Sequence, residues 1–272
     1  MRKLGRRAFY CRTNYSSDVT DAQWQLISPM LPKAAKTGRR PIDRRWIVNA
    51  ILYLLRAGCQ WRLMPHEFPK WKTVYTVFRR WRIAGVWQKA HDALRSKLRK
   101  AAGKKPTPSV AIIDSQSIRT AEGGDHRGYD AGKKITGRKR HIAVDTLGLI
   151  IAVVVHAAHW QDYEGAHLVA QALRDYPRLK VIFGDSAYGR GGFPQWVAAT
   201  FGWIVQTVLR PVQAVGFVVL PKRWIVERTF AWLARYRRHS RDYEHRTETS
   251  ETMIYITMIA LMSRRLARQT GV

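Results

Sequence analysis

Two apolar runs, each delivering an aspartate, constrain this chain more than any other feature. In VAIIDSQSIR (110–119) β-branched residues climb into Asp114, and in KVIFGDSAYG (180–189) a second apolar run delivers Asp185. Short runs of this composition read as buried strands. A carboxylate at the edge of such a strand costs free energy unless something compensates it. Two strands that each end in Asp and then a small residue read as halves of one site.

The first hundred residues read as helices. SSDVTDAQWQLISPMLP puts capping residues ahead of Trp24, Leu26, Ile27 and Met30 and stops at Pro32. From Asp43, RRWIVNAILYLLRAG is apolar on more than one face and ends at Gly58, which predicts a central helix. After the irregular CQWRLMPHEFP, a third helix carries Trp71, Val74, Tyr75, Phe78 and Trp81 as a core stripe. Lys72, Thr76, Arg79 and Arg80 form its polar stripe. A fourth helix runs from Val86 to about Lys100. Helix, turn and helix with a basic outer stripe fits a helix-turn-helix DNA reader; a plain bundle with a solvated face fits the same residues.

KAAGKKPTPS reads as a linker, and beyond it the period changes. Five strands are expected, at Val110–Ile113, RKRHIAVDT, LGLIIAVVVHA, KVIFGD and WIVQTVLR, the second and third joined as a hairpin. Helices are expected at EGAHLVAQALRDY, at PQWVAATFG, from about Pro221 through KRWIVERTFAWLARYRRH, and in SETMIYITMIALMSRRLAR. This order predicts a mixed α/β sheet with helices on its faces. The expected division is a basic arm over 1–17, a helical region over 18–103 and an α/β domain over 104–272.

Composition narrows the partners. Lys and Arg number 48 against 19 acids, a formal net charge of +29. Self-repulsion on that scale disfavours a compact chain, so a polyanion, with nucleic acid the leading candidate, accounts for it. Apolar runs at 47–55, 149–155 and 253–262 fall well short of the roughly 18–20 residues of a spanning helix. MRKLGRRAFYCR leads into TNYSSD and no apolar segment, so no signal peptide is predicted. Cys11 and Cys59 supply neither a disulfide framework nor paired zinc ligands. A cytoplasmic, reduced protein is expected.

A third acid joins the two aspartates. Helical spacing in KRWIVERTFAWLARYRR lines up Arg223, Glu227, Ala231, Arg235 and Arg238, with Trp224, Val226, Phe230, Leu233 and Tyr236 elsewhere. Glu227 thus sits among arginines beside a small alanine. Other acids have plainer roles: Asp145 as a turn residue, Asp125 and Asp130 in a polar loop, Asp162 and Glu164 at a helix start. The basic stretch GYDAGKKITGRKRH adds Lys133, Lys134, Arg138, Lys139 and Arg140 as phosphate contacts. The KTGRRP turn adds Arg39 and Arg40. Trp196, Trp203 and Trp232 fit core roles, or stacking on a flipped base.

Together VTDAQWQLI, ILYLLRAGCQWRLMP, IIDSQSIRT, RGYDAGKKITGRKRHIAVDTLGLI, GDSAYG and WIVERTFAWLARYRR give the chain its family likeness. It resembles bacterial insertion-sequence transposases of the DDE type, in the group named after insertion sequence five. The resemblance implies a ribonuclease-H-like core with Asp114, Asp185 and Glu227 as a metal-binding catalytic triad, preceded by a helical DNA-binding region. It implies two Mg²⁺ ions, replaceable by Mn²⁺: hard cations with oxygen ligands, which at about 3.5–4 Å apart clamp both oxygens of a phosphodiester displacement. Asp114 would bridge them, with Asp185 and Glu227 holding one each. Water would free a 3′-hydroxyl at the element's end, and that hydroxyl would attack target DNA. The implied partners are double-stranded DNA, both terminal inverted repeats and target, and a second copy of the chain, since two ends are paired.

Around the Glu the related signature has Tyr seven residues before and Lys or Arg seven after. Leu220 and Ala234 stand there, while Arg223 is kept as a phosphate contact and Arg235 comes one place late. Of His156 and His159, one is expected to line the cleft and the other to be polar surface. An inactive DNA-binding regulator and a structure-specific nuclease on the same core are the rival readings.

Overall fold

A computed structural model describes residues 15–33, 42–121, 123–208 and 222–269. The expected contacts Arg39 and Arg40, most of the basic arm, Cys11 and Leu220 lie outside the described residues.

The chain opens on helices α1 (Asp21–Ile27), α2 (Arg44–Ala57), α3 (Trp71–Ile83) and α4 (Val86–Ala101). Thr20 starts α1 with a capping box: its hydroxyl accepts from Gln23 N–H, and the Gln23 side chain accepts from Thr20 N–H. α2 is capped by Asp43 and ends at Gly58, whose φ of +75° only glycine adopts cheaply. On α3 the buried stripe is Val74, Phe78 and Trp81; Tyr75, expected in it, is 39% exposed and packs edge-on to Trp61.

The second part is one mixed sheet. Its strands are β1 (Val110–Arg119), β2 (Gly128–Asp130), β3 (Ile135–Val144), β4 (Ile150–Ala157), β5 (Val181–Gly184) and β6 (Ile204–Thr207). The order is β2-β3-β1-β5-β6, with β4 beside β3. β1, β2 and β4 pair antiparallel with β3, and β5 and β6 continue parallel from β1. The five expected strands are present and the short β2 is an addition. Helices α5 (Asp162–Ala172), α6 (Phe193–Phe201), α7 (Arg223–Ala234) and α8 (Thr247–Gln269) complete the fold. It is the architecture of a ribonuclease-H-like domain behind a helical region.

Two apolar layers hold the sheet. Alternation along β1 sends Ile112 into a core with α7 and α8, and Ala111 and Ile113 into one with α5 and α6. The first core runs without a break into α1–α4. Its centre is α8 more than α2, because α8 is buried almost all round and packs on α1, α2, α4 and β4. The free edge of β4 is closed by α8: Glu251 accepts the Val155 N–H at 2.9 Å.

One expected helix differs. The helix holding Glu227 stops at Ala234, and a separate turn of 3₁₀ helix spans Arg237–His239. Tyr236, Arg238 and His239 are all buried, and His239 lies 2.8 Å from the Thr257 hydroxyl. The chain must bend to turn them inward.

Candidate active site

Asp114 is held on β1, but not at its end: the strand continues five residues further, paired with β3 through Arg119. The polar residues that follow do not break it because their hydroxyls are satisfied. Ser115 donates to Asp162 at 2.7 Å and Ser117 to Asp130 at 2.5 Å. What ends near Asp114 is the parallel pairing with β5, whose last pair is Ile112 with Phe183. Asp185 follows β5 directly and caps a turn of 3₁₀ helix, accepting the Ala187 N–H at 2.9 Å. Glu227 lies one turn into α7, on the exposed side of a helix that packs against β1.

Arg223 ties the acids together. Its Nη2 is 3.9 Å from an Asp185 oxygen and 3.6 Å from a Glu227 oxygen. Burial, and then the neighbouring Asp185 charge, push the Asp114 carboxyl up to about 6, against the pull of the Ser115 N–H, Arg223 and Lys133. Ser115 N–H reaches Asp114 Oδ1 at 2.7 Å. A half-buried acid raised this way, beside a second carboxylate whose guanidinium partner is shared with Glu227, is short of positive charge. An all-oxygen donor set of this kind suits a hard divalent cation. Among the described residues no three His, Cys, Asp or Glu side chains stand close enough to enclose an ion, and Arg223 supplies the positive charge between two of them.

The expected phosphate contacts divide sharply. Lys72, Arg79, Arg80, Lys133, Lys134 and Arg235 are exposed and Arg223 half-buried. Arg138, Lys139, Arg140 and Arg238 are corrected: all four are buried and hold the protein together. Arg138 donates to the carbonyls of Asp125, Glu244 and His245 and lies 3.3 Å from Asp242. Lys139 donates to Trp160 O and Asp162. Arg140 donates to His239 O. Arg238 pairs with Glu244 at 2.8 Å and donates to Cys59 O. The three charges on β3 are buried by segments lying over the faces of the sheet, which supply the carbonyls and carboxylates they hold.

The rival acids behave as structural groups. Asp145 accepts from the N–H groups of Leu147 and Leu149 in the β3–β4 turn and is ion-paired with Arg99. Asp130 is buried against Ser117. Asp162 does more than start α5, since its carboxylate holds both Ser115 and Lys139. His159 is exposed; His156 is buried against His141 on the α5 side of the sheet, away from the face carrying Asp114. Trp203 is buried in the α5–α6 core, and Trp196 packs against it. Trp232 is stacked between Arg228 and Arg265. Tyr188 and His141, absent from the sequence-based set, lie behind the two aspartates.

Comparison with known families shows what kind of protein this is. Residues 105–262 match the family described as the transposase DDE domain. This chain belongs to the DDE transposases. Residues 19–91 match a second family, described as a putative transposase of the IS4/5 family. Among curated relatives, an uncharacterized 16.2 kDa protein of insertion element IS402 from Burkholderia cepacia is 35% identical over 117 residues, 40% of this chain and 78% of the relative. The uncharacterized protein y4sN of Sinorhizobium fredii is 30% identical over 69 residues, 25% of this chain and 55% of the relative. Membership of this family makes the chain a DNA-acting enzyme and fits divalent-metal use. Among the described residues no helix is long and apolar enough to cross a membrane.

Proposed function

We propose that the chain is the transposase of a bacterial insertion sequence, cutting DNA at the element's inverted repeats and joining the freed 3′-hydroxyl ends to target DNA. What supports this reading is that Arg223 lies within ion-pair distance of Asp185 and Glu227, and that Asp185 and Arg223 are charge neighbours of Asp114, in a DDE transposase. Asp114, Asp185 and Glu227 would hold the divalent ions, Mg²⁺ with Mn²⁺ as substitute. Such ions, when bound, supply a Lewis acid at the phosphoryl oxygens and lower the pKa of the attacking hydroxyl.

The chain's own side chains do the remaining work. Arg223 faces the acids from the start of α7, placed to hold a phosphate oxygen once a cation replaces it between the carboxylates. Lys133 is a charge neighbour of Asp114, Lys134 follows it in an exposed turn, and Lys72, Arg79 and Arg80 line the outer face of α3. Arg235 extends the basic track at the end of α7. These exposed cations meet DNA phosphates and fix its path without reading its sequence. Arg39 and Arg40 belong to the same proposed contact set. Residues 18–103 hold the repeats and 104–272 carry the chemistry, two copies acting on two ends.

The test is a linear DNA carrying the repeats that flank the gene, incubated with purified protein in Mg²⁺, in EDTA, and beside an Asp185→Asn variant. Cleavage at the repeat ends, lost with EDTA and in the variant, is expected. Tight binding with no cleavage in any metal would refute the reading and leave a DNA-binding regulator.

A further inference from the structure

Backbone pairing holds Asp114 to β3 but does not join the strands of the two aspartates to each other at the level of the acids. The parallel ladder between β1 and β5 ends at Ile112 and Phe183, two residues short of each acid. Beyond that point the strands have no mutual hydrogen bonds in their ladder, and something else must set the spacing.

On the α5 side of the sheet, three buried polar side chains bridge this gap. Tyr188, three residues after Asp185, reaches beneath β1 to β3, where its hydroxyl lies 2.8 Å from His141 Nε2. His141 pairs directly across β1 with Ser115, the residue after Asp114. His141 Nδ1 lies 2.9 Å from His156 Nε2 on β4, and His156 Nδ1 lies 2.9 Å from the Ala157 carbonyl. The Tyr188 ring also lies against Gly184, where an added Cβ would meet it at 2.6 Å.

The end of this file fixes its protons. A carbonyl only accepts, so His156 carries its hydrogen on Nδ1 and, as a neutral ring, accepts at Nε2. His141 must then donate from Nδ1 and accept at Nε2, so the Tyr188 O–H donates to it. Burial holds both imidazoles below their ordinary range and the phenol above its own, which keeps all three neutral. The three hydrogen bonds of the file point one way, from Tyr188 to Ala157. The packing is cut to fit: a Cβ at Gly165 on α5 would come within 2.4 Å of His156 Nε2 and 2.6 Å of His141 Nδ1.

We propose that Tyr188, His141 and His156 are positioning residues, a one-way hydrogen-bonded file that sets the Asp185 turn against the Asp114 strand where the β1–β5 ladder has ended. The inference rests on the triad reading, because it assigns the file its purpose. Partners behind a ligand shell typically contribute about 10–100-fold to metal affinity or activity.

Two measurements test it. In ¹⁵N-labelled wild-type protein without metal or DNA, imidazole spectra should show His141 and His156 both as the neutral Nδ1–H tautomer. A cationic ring, or an Nε2–H tautomer at either position, overturns the file. Second, Mn²⁺ affinity read by electron paramagnetic resonance should fall about tenfold or more in Tyr188→Phe and in Gly165→Ala, with DNA affinity within twofold of wild type. Gly165→Ala keeps every polar group and adds a good helix former, so its loss would report displaced rings. Unchanged Mn²⁺ affinity in both variants overturns the positioning role. A wild type with the expected tautomers that binds no Mn²⁺ and cuts no DNA overturns that role too, together with the metal-site reading; a wild type that cuts DNA with the wrong tautomers overturns only the file.

Discussion

The Asp114 carboxylate should make the metal-free protein less stable than a version without its charge. Its pKa moves from 3.8 to about 6 on folding. Between those values the folded state binds more protons than the unfolded state, so the group's contribution is present below pH 4 and lost as pH rises through 6. The full shift corresponds to about 3 kcal/mol, and solvent reaching the half-buried carboxylate reduces this to roughly half. Asp114→Asn keeps an acceptor for the Ser115 N–H, 2.7 Å away, and removes only the charge. In EDTA at pH 7.5 the variant should melt about 3–6 °C above wild type for a chain of this size. The gap should close towards pH 4. Adding Mg²⁺ should raise the wild-type Tm and leave the variant unmoved, since only the former gains a ligand. Glu251→Gln serves as control, because burial lifts Glu251 to about 7 on α8, outside the triad. It should show a pH-dependent gain set higher on the pH scale, with the Mg²⁺ response of wild type intact. An Asp114→Asn protein no more stable than wild type at pH 7.5, or a gap that ignores pH, would refute the account of a carboxylate waiting for a cation.

Asp145→Ala should unfold the protein by roughly 3–5 kcal/mol in urea titration, because it strands the buried Arg99 guanidinium and two turn N–H groups. Gly58→Ala should cost about 1–2 kcal/mol by thermal melting, since its φ is +75° and the new Cβ would meet Arg237 Cβ at 2.9 Å. Lys72→Ala, Arg79→Ala and Arg80→Ala should each lower the slope of log affinity for DNA against log salt by about 1 without loss of stability. Arg138→Met should leave that slope unchanged in the folded fraction and lose roughly 3 kcal/mol in a urea melt, because it takes the ion-pair partner from the buried Asp242.

The acids were legible because they interrupt an otherwise apolar pattern. Asp114 and Asp185 break β-branched runs, and Glu227 stands among arginines, so each violates its local surroundings and calls for a compensating partner. The helices were legible for the opposite reason, since Thr20, Asp43 and Gly58 announce their ends by local chemistry. What could not be read was which side of a strand a charge would face once both of its edges were covered. Arg138, Lys139 and Arg140 look like a solvated basic run, and only segments distant in the chain bury them, through Asp125, Glu244 and His245 on Arg138, Trp160 and Asp162 on Lys139, and His239 on Arg140. The same blindness hid the end of β1. Ser115 and Ser117 read as the close of a strand until Asp162 and Asp130 arrive from 47 and 13 residues away to accept their protons. His141 is a partner of Ser115 only in one register, and a shift of one residue would send it to the other face. The groups that carry chemistry were therefore visible as local conflicts. The groups that hold them in place were not, because their signal exists only between elements far apart in the chain.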